Sequence, residues 1–341
     1  MDKAESIVMI NRKPAIGKHF SMERVFSVVA NAMPNDVSIL QYQLPSNGVS
    51  VRSIRNNIVA ARSVQADVVH VTGDVHYVLP FVSQKSYRVL TVHDIESLKR
   101  LTGMRRLCVR SWWYSFPLAA ADVVTTVSDK TRLDLIAEFP QHAEKIHVVE
   151  NPITVEPTRC DSSEIKNIPR ILAIGTGANK NLPRLVQAVS DLEVELRVIG
   201  PATTALSTAI DNHGSANVTR AQNLSNEEMA REYRSATLLA FMSTSEGFGL
   251  PIIEAQAYGV PVVTSDLEPM RSVAGNAAVL CDPFDHQAIR SSICTVLDDE
   301  RLRKKNVENG FKSVVRYFPK SIANDYLTIY RSGRKPKGEI C

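Results

Sequence analysis

Short apolar runs rich in β-branched residues punctuate the whole chain. The first set is "SIVMI", "VSILQYQ", "ADVVHVT", "YRVLTV", "ADVVTTVS" and "KIHVVE"; the second is "RILAIG", "ELRVIG", "NVTRA", "TLLAFMS", "GVPVVTS" and "AAVLCDP". A strand with one wet face alternates apolar and polar residues. These runs are nearly continuous, so they read as strands of parallel sheets covered on both faces. Parallel strands need long crossovers, and most of the intervening segments are long enough to hold a helix. Between the two sets lies "NPITVEPTRCDSSEIKNIP", polar and broken by Pro152, Pro157 and Pro169, which reads as a linker. The expected fold class is therefore α/β, with two Rossmann-like doubly wound domains facing a cleft. The boundaries read as residues 1–152, a linker over 153–168, a second domain over 169–316, and a C-terminal segment over 317–341. In that last segment Ile322, Tyr326, Ile329 and Tyr330 fall at helical spacing. A helix is expected there, packing back on the first domain ahead of a basic tail.

Composition narrows the possible functions. A chain of 341 residues with 44% hydrophobic residues can bury two cores, and a formal charge of +4 does not imply a nucleic-acid partner. The five cysteines (Cys108, Cys160, Cys281, Cys294 and Cys341) form no CxxC and no Cys/His cluster, so neither a disulfide framework nor a zinc site is signalled. A reducing cytoplasm fits best. The start "MDKAESIVMINRKP" has an apolar run too short for a signal peptide or a membrane span. No GxGxxG follows the first strand of either set, which argues against a NAD-dependent dehydrogenase. No DXD-like motif sits at a strand end either. No metal site and no cofactor are expected.

Ligands of doubly wound sheets sit at the carboxyl ends of the strands, so functional residues belong in the loops that follow them. The stretch "STSEGFGLPIIEAQAYGVPVV", Ser243 to Val263, reads as such a loop leading into a helix. Gly247 and Gly249 permit a close backbone approach to a ligand, Pro251 suits a first helical turn, and Gly259 ends the helix. A helix start carries unpaired N–H groups and partial positive charge, a natural seat for phosphate. Glu246 before it and Glu254, less than a full turn into it, offer carboxylates to the same cavity. Carboxylates repel phosphate but accept hydrogen bonds from hydroxyls, so a ligand with both sugar hydroxyls and a diphosphate is indicated. Solvated cap and surface charges are the plain alternative for either glutamate.

"EGFGLPIIEA" followed by "GVPVVTSD" resembles the EX7E signature of the family 4 retaining glycosyltransferases of the GT-B fold. The likeness extends through "ILAIGTGANKNLPRLVQAV", "LRVIG", "ADVVTTVS" and "AAVLCDPFD", and is more diffuse in the first domain. It implies that the second domain binds a nucleotide-sugar donor. Glu254 would accept the ribose hydroxyls and Glu246 hydroxyls of the transferred sugar, while the N–H groups of Phe248, Gly249 and Leu250 approach sugar and diphosphate. Gly175 and Gly177 would form a tight loop, with Lys180 neutralising the leaving diphosphate. Thr176 stands where the family more often has an arginine, so Lys180 acts alone or Arg12 or Lys18 reaches across the cleft. Asn223 and Leu224 match positions where the base packs. In the first domain, the resemblance implies that His93 faces the donor sugar, and Gly17, with Lys18 beside it, is the candidate for close approach to phosphate and acceptor. Ser128 and Asn151 read equally well as a helix cap and a turn residue.

The segment "LKRLTGMRRLCVRSWWYSFPL" has no acidic residue between Glu96 and Asp122. If it is helical, Lys99, Arg106, Arg110 and Trp113 share one face. Basic and aromatic residues together suit an anionic membrane surface or a lipid-diphosphate acceptor. A solvated basic helix with Trp112 in the core is the alternative. The resemblance thus implies a metal-independent retaining glycosyltransferase acting on a glycan or lipid-linked acceptor, in the cytoplasm or at the inner face of the membrane. Polysaccharide or O-antigen-like synthesis is the nearest analogy. A GT-B-shaped epimerase or phosphorylase, and a non-catalytic nucleotide-sugar-binding subunit, are the competing readings.

Overall fold

The computed structural model describes residues 5–13, 21–158, 168–213 and 217–333. Gly17, Lys18, Cys160, most of the linker and the basic tail lie outside them. The chain forms two compact units, Met1–Pro152 with Phe318–Cys341, and Ile153–Tyr317.

Unit 1 holds β1 (Glu5–Asn11), β2 (Val37–Gln43), β3 (Val68–Val71), β4 (Tyr87–Val92), β5 (Val123–Thr126) and β6 (Ile146–Val148). They pair in parallel in the order β2-β1-β3-β4-β5-β6. Its helices are α1 (Ser21–Asn31), α2 (Val51–Arg62), α3 (Glu96–Arg100), α4 (Gly103–Val109), α5 (Phe116–Ala120) and α6 (Asp129–Glu138). Ile7, Val8, Met9 and Ile10 are consecutive and all buried, as a strand covered on both faces requires. The edge strand β2 instead leaves Leu40 exposed.

Unit 2 holds β7 (Arg170–Ile174), β8 (Glu195–Ile199), β9 (Val218–Ala221), β10 (Leu238–Phe241), β11 (Val262–Ser265) and β12 (Val279–Cys281). Its helices are α7 (Leu182–Val189), α8 (Thr204–His213), α9 (Asn226–Ser235), α10 (Leu250–Ala257), α11 (Met270–Ala274), α12 (His286–Asp298) and α13 (Glu300–Ser313). The parallel order is β12-β11-β10-β7-β8-β9. The chain runs outward from β7 through β8 to β9, then returns to place β10 on the other side of β7. The loops after β7 and β10 therefore flank the point where the strand order reverses, which in doubly wound sheets is where the ligand crevice lies. In unit 1 the same reversal falls between β1 and β3.

The last helix, α14 (Pro319–Ser332), follows unit 2 in sequence but completes the core of unit 1. Tyr326 meets Phe26 of α1 at 5.6 Å between centroids, and the Tyr330 hydroxyl lies 2.7 Å from Nδ1 of His70 on β3. Among the described residues no helix is long and apolar enough to cross a membrane.

Candidate active site

The carboxyl end of the unit 2 sheet gathers residues from both flanking loops. After β7 the backbone turns through Gly175 at φ +89°, and a short 3-10 turn (Ala178–Lys180) presents Asn179 and Lys180. After β10 the segment Met242–Gly249 carries Glu246. Lys180 Nζ lies 2.5 Å from Glu246 Oε1 and 4.5 Å from the centroid of the Phe241 ring. Asn179 Nδ2 donates to the same carboxylate oxygen at 2.9 Å and to the Ser245 carbonyl at 2.8 Å. The Thr244 N–H in turn donates to the Asn179 carbonyl at 2.8 Å. The two loops are thus stitched together, with a neutral ion pair at the join.

Gly175 is favoured by its left-handed backbone, and the Lys180 stem packs closely against it. A Cβ there would fall 2.6 Å from Lys180 Cε, so the lysine stem occupies the space that a side chain would fill. Thr176 packs on Gly200 after β8, where an added Cβ would meet Thr176 Cγ2 at 2.7 Å. Its side chain is used for packing between loops.

Glu254 is the fifth residue of α10, which places it beyond the first turn and corrects the position read from the sequence. Its Oε1 accepts from Thr154 Oγ1 at 2.5 Å and its Oε2 from the Tyr233 hydroxyl at 2.8 Å. Tyr233, on α9, stacks on Tyr258 with centroids 5.2 Å apart. The N-cap of α10 is Gly249 at φ +114°, with no capping side chain. Opening N–H groups of a helix have no partner within it, so a helix start of this kind can offer donors to a ligand. Phe248 turns its ring inward, edge-on to Tyr317 at 5.7 Å. Asn223 is exposed at φ +56° after β9, with Leu224 half-buried beside it. Of the residues around the two glutamates, Thr154, Asn179, Tyr233 and Phe241 carried no signal in the sequence. Their roles arise only when distant segments meet.

In unit 1 the ends of β1, β3 and β4 converge. His93 is half-buried and its Nε2 donates to the Thr72 carbonyl at 2.8 Å, which in the neutral ring leaves Nδ1 as an acceptor. Thr72 is hydrogen-bonded to Asn11. Arg12 pairs with Glu23 at 2.7 Å and with Asp74 at 3.6 Å, so its charge is already matched inside this unit. Ser128 caps α6, accepting from the Thr131 N–H, and Asn151 is buried. Among the described residues no three His, Cys, Asp or Glu side chains gather as a metal site would require.

A model described as "Glycosyltransferase Family 4" matches residues 23–157, and one described as "Glycosyl transferases group 1" matches residues 161–313. The chain belongs to the family 4 glycosyltransferases. The transferase is 28% identical over 308 residues to an MMP alpha-(1->4)-mannosyltransferase of Mycolicibacterium hassiacum, covering 82% of this chain and 74% of that one. It is 26% identical to O-antigen chain mannosyltransferase B of Escherichia coli, covering 63% and 61% of the two chains. Among solved structures, Anabaena Alr3699/HepE in complex with UDP and glucose aligns over 97% of this chain and all of that one. The TM-score is 0.77 at 16% identity, a likeness of GT-B fold.

The basic segment of the transferase departs from the face expected of it. Helix α3 stops at Arg100, and α4 runs through a π-helical stretch (Arg110–Ser115) into α5. Lys99 bonds Asp134 at 2.6 Å, while Arg106 and Arg110 hold Glu138 at 2.7 and 2.8 Å. Both carboxylates sit on α6, so these three cations fasten the segment to unit 1. Trp113 packs on Tyr77 and donates from Nε1 to the Asp74 carbonyl at 3.2 Å. Trp112, which the alternative reading assigned to the core, is 54% exposed. The wider π turn explains the exchange, because it rotates the following residues relative to an uninterrupted α-helix.

Proposed function

We propose that this glycosyltransferase moves a sugar from a nucleoside diphosphate to an acceptor hydroxyl with retention of configuration and without a metal. The observation that carries the reading is the Lys180–Glu246 pair on the loops after β7 and β10. Lys180 is taken as the diphosphate ligand, released from Glu246 when the stronger anion arrives. Glu246 then has lone pairs for hydroxyls of the transferred sugar, and the N–H groups of Phe248, Gly249 and Leu250, leading into α10, are assigned to the phosphates. Glu254 takes the ribose diol. The loops after β7 and β9 are two strand spacings apart, about 10 Å, a distance a nucleotide spans, so Asn223 and Leu224 can border the base. His93, through Nδ1, is assigned to a sugar hydroxyl. Gly17 and Lys18 remain proposed for the acceptor loop.

In the reaction the C1–O bond to the diphosphate breaks and its electron pair leaves with the phosphate oxygen, where Lys180 offsets the gathering charge. The acceptor oxygen bonds C1 on the same face, and its proton passes to the departing phosphate oxygen. The names of the similar O-antigen chain mannosyltransferases support a glycan acceptor and a place in O-antigen-like polysaccharide synthesis, and those of two phosphatidyl-myo-inositol mannosyltransferases a lipid-linked one. A cytoplasmic site is in keeping with free thiols at Cys108, Cys281 and Cys294.

Thermal-shift screening across nucleotide sugars identifies the donor, since a ligand at 100 times its Kd adds about 2.7 kcal/mol to the folded state. With that donor, Lys180→Ala and Glu246→Ala are each expected to lower kcat by about 100-fold or more, read from nucleoside diphosphate release. Turnover unchanged in both variants would remove the basis of this assignment.

A further inference from the structure

The edge of a sheet offers a row of unpaired backbone donors and acceptors. Soluble proteins guard such edges by keeping the strand short, charging it or breaking it with proline. Three of the four sheet edges here are guarded in this way. β6 and β12 have three residues each, and β9 has four, Arg220 among them. β2, the outer strand of unit 1, instead runs for seven residues, Val37–Gln43, with no charged residue and no proline. It pairs with β1 residue for residue along its whole length. Leu44 then donates its N–H to the Asn11 carbonyl at 3.0 Å. Successive residues of a strand turn their N–H and C=O groups to opposite edges, so Ser38, Leu40 and Tyr42 address β1, while Ile39, Gln41 and Gln43 address the outer edge. Among the described residues no backbone group meets these three. On the face of the sheet that carries α2, Tyr42 packs at the margin of the core and Leu40 is 58% exposed.

We propose that β2 is a contact between two copies of this chain, pairing antiparallel with its counterpart about a two-fold axis at Gln41. The strand fits itself. Gln41 exchanges N–H and C=O with the partner's Gln41, and Ile39 does so with the partner's Gln43. One step further out, Val37 falls opposite the partner's Pro45. The Val37 N–H is already bonded to the Pro34 carbonyl, and Pro45 has no N–H, so the pairing ends without a stranded donor. Between the hydrogen-bonded pairs, Leu40 faces the partner's Tyr42, an aromatic and aliphatic pair of the kind that stabilises antiparallel strands. The charges are compatible too. Nothing ionised lies within Val37–Gln43, and Asp36, held by Arg331 at 2.9 Å, falls opposite the partner's Ser46. Main-chain hydrogen bonds supply the affinity, as in other cases of strand addition to a sheet edge. The proposal is independent of the donor-site assignments.

Sedimentation velocity of the full chain over a range of concentrations tests it. The unaltered protein is expected to pass from monomer to dimer as concentration rises. Gln41→Pro removes the N–H at the axis while sparing the bonds from β2 to β1, and Leu40→Lys places an ammonium group against the partner strand. Each is expected to weaken the dimer by about tenfold or more. Because Leu40 is exposed, Leu40→Lys should leave the melting temperature of the dilute monomer unchanged. A monomer at every concentration, or a dimer that survives both substitutions, overturns the proposal. Cysteine substitution reads the register. Residues facing across the axis have Cα atoms about 5.5 Å apart, within reach of a disulfide, so mild oxidation is expected to join copies of Gln41→Cys. Copies of Ser38→Cys should cross-link no more than the unaltered chain. Equal cross-linking of the two variants also overturns the pairing.

Discussion

At the scale of single residues, the site proposed for the donor depends on groups that position its charged side chains. Gly175 combines a left-handed backbone with a lysine stem where its Cβ would be. Gly175→Ala is therefore expected to cost about 1–3 kcal/mol of stability and to displace Lys180, lowering kcat with it. An alanine variant with unchanged melting temperature and kcat would show that the loop has slack. Glu254 tells a complementary story. Thr154 and Tyr233 each give one hydrogen bond to a different carboxylate oxygen. Removing either donor through Thr154→Val or Tyr233→Phe leaves the carboxylate free to turn, at about 1 kcal/mol per bond. Because the ribose is remote from the reacting carbon, the expected effect is a several-fold rise in donor KM with kcat nearly constant. A fall in kcat at unchanged KM would move Glu254 from the ribose to the reaction centre.

At the scale of elements, the central parallel strands were legible because burial on both faces removes alternation, as in the fully buried β3, β5, β10 and β11, whereas the edge strands β2 and β9 carry exposed polar residues. Their order was not legible, since nothing in "TLLAFMS" says that β10 lies beside β7 rather than β9, and the crevice exists only through that order. Asn179 and Tyr233 were missed for the same reason. The buried polar joint under α14 was equally silent. His70 Nε2 lies 2.7 Å from Thr91 Oγ1, which lies 2.7 Å from Thr125 Oγ1, while Nδ1 meets Tyr330. Burial, and secondarily the charge of His93, lowers the His70 pKa from 6.5 to about 3. The unfolded chain then binds a proton that the native joint refuses, so stability falls as pH drops from 6.5 towards 3. The slope due to His70 approaches about 1.4 kcal/mol per pH unit. His76 is lowered by burial too, and its share is common to any His70 variant. Urea unfolding of His70→Gln across this range should show a slope shallower by nearly one proton. Parallel curves for the two proteins would mean that His70 protonates without cost.

At the scale of the whole molecule, the chain leaves unit 1 at Pro152, builds unit 2 complete, and returns at Phe318 to finish unit 1. Ile153–Tyr317 contains every strand of its own sheet and is continuous, so it has what an autonomous domain needs. Residues 1–152 alone lack Ile322, Tyr326, Leu327 and Tyr330, four large side chains that are buried in the intact chain. At roughly 1.5–3 kcal/mol each, their loss removes an amount comparable to the whole stability of an ordinary domain, and it strips His70 of its Tyr330 partner. The expected outcome is asymmetric. A fragment 153–317 should unfold cooperatively on heating, whereas 1–152 should show no sharp transition until residues 318–333 are joined to it through a flexible linker. Near-ultraviolet circular dichroism reports this directly, because Tyr77, Trp113 and Tyr114 lie in the unit 1 core. A cooperative melt of 1–152 by itself would show that α14 covers a core already able to hold together. The return of the chain would then serve to tether the two units rather than to complete one of them.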